Sequence, residues 1–413
     1  MSFFPDMLAR PASRAVSDRR SPYVLALLVG AAYAAPAMAA ISDTIHPYVS
    51  ASLMHDDNLL RLDDGQSVNG QRGDTYKQAV AGVSVEQPIG RQMVTADLRV
   101  SRVSFDRFSQ YDYNGKEAQA QWAWQLADHL SGHLGGEYSE TLAPFSDFGA
   151  GERNLRVQRK EFVDGTWQFH PRWQVRSGFT REEYRYDLST QKYNNRDQDT
   201  SEFGVDYLTP AGSRIGVQLR HLKGRYPNGF IGDVLVSDDY TQDEAKINIY
   251  WRYSAITQVQ FLGGRARREH AFFTERDQSG TNGRLLAYWA PAAKLKFTGG
   301  AWREFSAVDG AIINSALNKG VSLDGTWQAT TKIAVTGQLR RERRDFGTVT
   351  EAQGTLDDPH DITRSAGLSL TYVPLPSIEL TTGVSRNDRK GNFSVGTGNY
   401  KSNSASFSAK IVF

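Results

Sequence analysis

The chain has no cysteine among its 413 residues, which excludes a disulfide framework and a thiolate metal site. It also lacks a long apolar run. The segment Tyr23–Ala32 is too short, and too rich in Ala and Gly near its end, for a spanning helix of roughly 20 residues. No later segment approaches that length, and a mean hydropathy of −0.50 is not that of a helical membrane protein. Charge of one sign is missing too. The 48 basic and 46 acidic residues leave a net +2, which gives no support to a basic nucleic-acid-binding face. The eight histidines, His46, His55, His129, His133, His170, His221, His270 and His360, are scattered and never take the paired spacing of a zinc hydrolase. No metal and no cofactor is expected.

What the sequence does have is alternation. Near its end Ala405, Phe407, Ala409, Ile411 and Phe413 fall on one side of a strand, and Ser404, Ser406, Ser408 and Lys410 on the other. An aromatic closing such a strand is the ending of a bacterial outer-membrane barrel. At the other end Arg10, Arg14, Arg19 and Arg20 precede the apolar run, and Ala37-Met38-Ala39 follows it as a small-x-small cleavage site. The expected organisation is a signal peptide over 1–39 and a barrel over 40–413. A chain that crosses lipid without apolar helices must do so as a closed barrel, because lipid satisfies neither an open sheet edge nor a bare loop.

The strands can be counted from their connections. Short links recur at Gln87–Gly90, Ala127–His129, His170–Arg172, Thr209–Ser213, Ser254–Ile256, Pro291–Ala293, Ala329–Thr331 and Pro374–Pro376. They are spaced by about 40 residues, one hairpin per period. Eight such links give nine hairpins and an all-β, antiparallel up-and-down barrel of about 18 strands. Longer polar links fall near 56–73, 107–113, 142–155, 188–199, 226–238, 273–283, 307–316, 347–361 and 388–400, as extracellular loops should. Trp122, Trp124, Trp167, Trp173, Tyr207, Trp251, Tyr253, Trp289, Trp327 and Tyr372 lie beside the short links and are expected to form a periplasmic girdle.

Parity assigns the faces. Ala245, Ile247, Ile249, Trp251 and Tyr253 look to lipid and Glu244, Lys246, Asn248, Tyr250 and Arg252 to the lumen, while Val321, Leu323, Gly325 and Trp327 oppose Ser322, Asp324, Thr326 and Gln328. Arg341 and Arg343 point outward, toward lipopolysaccharide phosphates, and Arg340 and Arg344 inward. Inside, Arg99, Arg176, Arg220, Arg252 and Lys410 are faced by Asp97, Glu117, Glu137, Asp206, Glu244, Asp324 and Glu379, and pairing around the wall accounts for much of that charge. Arg99, Arg176, Arg220, Tyr250, Arg252, Tyr288 and Arg340 are the residues expected to meet a ligand, offering bidentate hydrogen bonds and stacking surfaces to a hydroxylated chain. A strongly acidic polymer would select a more one-signed lumen. No catalytic residues are expected, since Ser139 with His133 and Ser177 with His170 share a strand or hairpin without a hydrolase register. Asp56-Asp57-Asn58 and Asp63-Asp64-Gly65 read as a solvated acidic loop ahead of a calcium site, because EF-hand spacing is absent.

The segment His46-Pro47-Tyr48-Val49-Ser50 to His55-Asp56-Asp57-Asn58-Leu59-Leu60-Arg61 resembles the opening of the outer-membrane exopolysaccharide biosynthesis proteins called EpsL. These belong to a wider group of β-barrel porins found with exosortase and polysaccharide gene clusters. The Trp-containing hairpins and terminal Phe are similar to that group, although its aromatic near the end of the opening motif is Leu60 here. The resemblance implies a barrel that guides a secreted polysaccharide through a polar lumen. Its partners would be the polymer, outer-membrane lipid and lipopolysaccharide, and periplasmic or inner-membrane synthesis proteins. The alternative is a general or sugar-selective diffusion porin with a constriction loop.

Overall fold

The computed structural model describes residues 44–148, 151–228, 230–231, 234–235, 239–272, 274–308, 315–346, 349–351, 354–356, 359–391 and 397–413. The expected signal peptide lies outside the described residues. The first nine strands are β1 (Ile45–Asp56), β2 (Asp74–Ile89), β3 (Gln92–Phe105), β4 (Tyr113–Leu126), β5 (Leu130–Leu142), β6 (Leu155–His170), β7 (Trp173–Tyr186), β8 (Arg196–Leu208) and β9 (Arg214–Arg225). A short loop hairpin, β10 (Phe230–Ile231) and β11 (Val234–Leu235), precedes β12 (Tyr240–Arg252), β13 (Thr257–His270), β14 (Gln278–Ala292), β15 (Leu295–Ala307), β16 (Ser315–Gln328) and β17 (Ile333–Asp345). A second, β18 (Val349–Glu351) with β19 (Gly354–Leu356), precedes β20 (His360–Leu375), β21 (Ile378–Lys390) and β22 (Tyr400–Val412).

Leaving the two loop hairpins aside, 18 strands form one antiparallel sheet in which each pairs with the next and β22 returns to β1. The seam runs from Tyr48 opposite Val412 to Asp56 opposite Ser404, and the Phe413 amide donates to the Pro47 carbonyl at 2.8 Å. Closure leaves no strand edge for lipid to meet, which is the condition for a sheet to span a bilayer. The chain turns at Ala127–His129 and Thr209–Ser213 as expected, whereas β2, β14 and β20 run on through part of their expected links to Ile89, Ala292 and Leu375, so those turns close a residue or two later.

Parity is kept all round the barrel. Val100, Val217, Leu219, Ile247, Val321, Leu323, Leu339, Leu368 and Val384 stand exposed on the outside, while Glu244, Lys246 and Asn248 are buried on the lumen side. Below this apolar band Trp122, Trp167, Trp173, Trp251, Tyr253, Trp289, Trp327 and Tyr372 are exposed next to the short links, as a girdle should be. Trp302 is the exception among the tryptophans. It shares parity with Thr298 and Glu304, turns into the lumen and is buried. Gly320 makes this possible, since a Cβ there would lie 2.2 Å from the indole.

The extracellular mouth is narrowed on one side by loops folded inward. Val103 and Phe105, luminal by register, pack with Leu59 and Leu60 of the first loop, Phe108 and Tyr111 of the second, and Phe145 in a single helical turn of the third. Leu60 is 0% exposed, worth about 2 kcal/mol of apolar burial. Tyr111 meets Phe145 edge-on at 4.9 Å, and burial raises its phenol above the usual value.

The acidic stretch before Leu59 is a latch, not a solvated loop. Asp56 is buried and pairs with Arg61 at 2.8 Å while accepting from the Ser402 hydroxyl at 2.7 Å. Asp57 accepts from the backbone and side chain of Asn403 at 2.7 Å. Asn58 Nδ2 donates to the carbonyls of Leu62 at 2.7 Å and Lys401 at 2.8 Å. Arg61 takes a left-handed φ of 57°, uncommon outside glycine, and its guanidinium lies over Tyr400. The segment therefore fixes the first loop to the last strand. Among the described residues no cluster suited to a metal ion occurs.

Candidate functional site

The lumen has two unlike walls. Along β20, β21, β22 and β1 the inward positions include Ser365, Ser369 and Thr371, then Thr381 and Ser385, then Ser402, Ser404, Ser406 and Ser408, then Ser50 and Ser52. The charges of this wall stand at its two ends, with Asp56, Asp361 and Arg389 buried near the mouth and Lys410 and Glu379 toward the periplasmic side. Lys410 stands 4.2 Å from the Tyr48 ring, and Glu379 is its partner in the register. Successive inward hydroxyls on one strand repeat about every 6.8 Å. Some bond each other across strands, as Ser385 and Ser404 do at 2.7 Å.

From β6 to β17 the inward positions carry long charged side chains instead. Arg176 binds Asp206 with two nitrogens, Nη2 to Oδ1 at 2.8 Å, and the pair is 2% and 0% exposed. Gln174 also donates to Asp206, at 2.9 Å. Gly216 opposite leaves the room, because a Cβ there would meet Asp206 Oδ1 at 2.2 Å. Higher on the wall Arg220 lies between Glu202 at 3.3 Å and Glu244 at 3.4 Å. Glu244 also pairs with Lys246 and accepts from Gln242 and Asn282, each at 2.6 Å. Arg268 bonds Gln242 at 2.8 Å and covers the Tyr240 ring at 4.3 Å. Trp302 stands between the guanidinium groups of Arg284, 5.7 Å away, and Arg340, 4.5 Å away, and donates to Glu342 at 2.9 Å.

This wall encloses a recess of about 390 Å³, lined among others by Lys160, Glu182, Arg220, Lys246, Arg284 and Glu304. Gln218 Oε1 and Glu202 Oε2 on its lining are buried acceptors without a hydrogen-bond partner among the described residues.

The sequence-expected ligand residues all lie on the luminal face but do not form one cluster. Tyr250, Arg252 and Tyr288 come together toward the periplasmic end. Arg252 and Tyr288 both face Gln258 in the register, and Tyr250 donates to Gln258 at 2.7 Å. Arg220 lines the recess, and Arg340, ion-paired to Glu342 at 2.7 Å, stands half exposed beyond it. Arg99 is remote from these, paired with Glu117 beside Tyr48 and Asp97. Arg176 is enclosed by Asp206, so its guanidinium braces the wall and is shut off from a solute. Arg284, Trp302 and Glu304 are the members that sequence reasoning missed. Their parity with Thr298 and Gly300 was the available signal. His133 Nδ1 lies 3.0 Å from Asp164, and Ser139 stands about 20 Å along the strand from it.

An 18-strand barrel is too wide for side chains to fill. With an apolar outer band, an aromatic girdle and a charged lumen, this chain has the architecture of an outer-membrane β-barrel. No family model and no curated protein sequence matches it. Among solved structures it is similar to the FrpB iron transporter from Neisseria meningitidis, at 9% identity and a TM-score of 0.48, over 86% of this chain and 64% of that one. The chain thus spans less than two thirds of that transporter's length. The outer membrane protein opdK from Pseudomonas aeruginosa aligns at 10% identity and 0.47, over 90% of this chain and 100% of that one. OccAB3 from Acinetobacter baumannii aligns at 11% and 0.45, over 90% and 100%.

Proposed function

We propose that the protein is a diffusion channel selective for hydroxylated solutes of modest charge, sugars foremost. The observation that carries this reading is the pairing of a hydroxyl wall with a charged wall whose ions largely neutralise one another. A solute between them meets donors and acceptors on both sides without a strong field of one sign. Tyr250 and Tyr288 add partly exposed rings toward the periplasmic end.

Guidance of a secreted polysaccharide is the second reading. The observation favouring it is the hydroxyl ladder itself, which repeats along β22 and would serve a sliding chain as well as a monomer. The opening segment that resembles EpsL adds little to the choice, because its residues latch the barrel seam. Planar-bilayer recordings test the first reading: small sugars should block the current in a concentration-dependent way. Unblocked current together with loss of extracellular polymer in a strain lacking the gene would replace it with the second.

A further inference from the structure

Around most of its circumference the outer collar above the apolar band mixes charges of both signs. Arg159 lies 3.8 Å from Glu183, Arg181 lies 3.4 Å from Glu183 and 3.9 Å from Asp199, and Arg225 lies 2.6 Å from Asp199. On β17, β20 and β21 that balance fails. Arg341 and Arg364 both face outward and stand directly opposite each other in the ladder, with Arg386 one pair along. Like charges directly opposite across a sheet repel. Neither Arg341 nor Arg364 makes an ion pair among the described residues, Arg386 bonds only Asn403, at 3.0 Å, and Asp388 faces Arg364 in the register without pairing with it.

Directly below, the surface turns apolar within one step of each strand. Leu339, Leu368 and Val384 are exposed beneath the arginines, and Val321 and Leu323 flank them on β16. A shallow groove of about 680 Å³ joins the basic and apolar parts. Short connections mark the periplasmic end of a barrel, which puts the arginines at the level of the outer-leaflet headgroups. Guanidinium groups bind phosphate bidentately and tightly, whereas an unneutralised guanidinium beside hydrocarbon is costly.

We propose that Arg341, Arg364 and Arg386 form a binding site for a phosphorylated, multiply acylated glycolipid of the outer leaflet. Its phosphate bridges the opposed arginines, and its acyl chains lie along Leu339, Leu368, Val384, Val321 and Leu323. The bound phosphate supplies the anion that the sheet omits there, so the ligand holds β17, β20 and β21 in register from outside.

Native mass spectrometry of the detergent-purified, delipidated full chain tests this with three probes: lipid A carrying two phosphates, its phosphate-free form, and phosphatidylglycerol. The two-phosphate form should bind at least about tenfold tighter than the phosphate-free form, as charge-assisted bidentate contacts require. The triple variant Arg341→Gln, Arg364→Gln, Arg386→Gln should lose that preference while keeping heat-modifiable gel migration. Arg181→Gln, whose arginine faces two acids, should retain it. If the triple variant does not fold, Arg364→Gln alone should lower the preference several-fold. A preference that survives these changes, or phosphatidylglycerol binding as tightly as the two-phosphate glycolipid, would overturn the site.

Discussion

The two walls of the lumen solve the same problem by different means. Both must present polar groups to water inside a closed sheet. The wall from β20 to β1 does it over its middle stretch with short hydroxyls that lose little rotamer freedom and carry no charge, as at Ser404 and Ser408. The wall from β6 to β17 does it with long ionic side chains that need partners, so Asp206, Glu244 and Arg268 are each built into a network and buried. The lesson is that the residues best suited by charge to grip a solute are in part committed to one another. What is open to a solute is the hydroxyl wall, the recess near Arg220, and the Tyr250, Arg252 and Tyr288 group.

That contrast can be broken first at its most buried point. Asp206→Ala leaves the Arg176 guanidinium enclosed without its anion and should cost about 3–5 kcal/mol, read as a lower temperature of heat-modifiable migration. An unchanged temperature would mean that the charged wall is not held by desolvated pairs. Trp302→Ala, at a buried position between two guanidinium groups, should cost about 3 kcal/mol in the same assay and weaken sugar block by freeing Arg284 and Arg340. Ser408→Asp on the other wall should leave stability unchanged but shift the reversal potential of single channels toward cation selectivity. Destabilisation equal to that of Asp206→Ala would erase the distinction between the walls.

Two smaller effects sharpen the picture. Arg252→Glu, at an exposed luminal position near the periplasmic end, should move ion selectivity without affecting insertion, whereas Trp251→Glu, one residue away and facing lipid, should impair insertion and leave the selectivity of inserted channels alone. The smallest effect concerns Asp64. Lys401, and then Arg72, hold its carboxyl below the usual value. The contribution of that contact is therefore complete above an ordinary carboxylate pKa of 3.8 and is lost as pH falls through the lowered value. Amide exchange in the first loop, sampled from pH 6 downward with intrinsic rates divided out, should quicken only at the acid end, and Asp64→Asn should remove the dependence.

Much of this architecture is legible in the chain because a closed barrel is a local code repeated. The short links at Ala127–His129 and Thr209–Ser213 give the hairpin count, and parity then places Trp251 outside and Glu244 inside without further information. The first loop is harder because its partners are far away in sequence. Asp56, Asp57 and Asn58 look solvated until Ser402, Asn403 and Lys401 are set beside them by barrel closure. Trp302 misleads for the opposite reason. Its parity is plain, but every other tryptophan of this chain belongs to the girdle, and only Gly320 across the ladder betrays the inward pocket. Which charges pair and which stay open, as with Arg176 and Arg252, depends on depth and neighbours that alternation does not encode.

The seam has a consequence for how the protein comes to exist. The bonds from Asp57 to Asn403 and from Asp56 to Ser402 join residues 346 positions apart. Until β22 has been made and delivered, β1 offers a bare edge, and no earlier fragment can satisfy its own backbone in lipid. Contacts of such sequence separation also form slowly and leave the chain open to edge pairing with its neighbours on the way. The polypeptide must therefore reach the membrane without a finished sheet, and the barrel is complete there only when β22 pairs with β1.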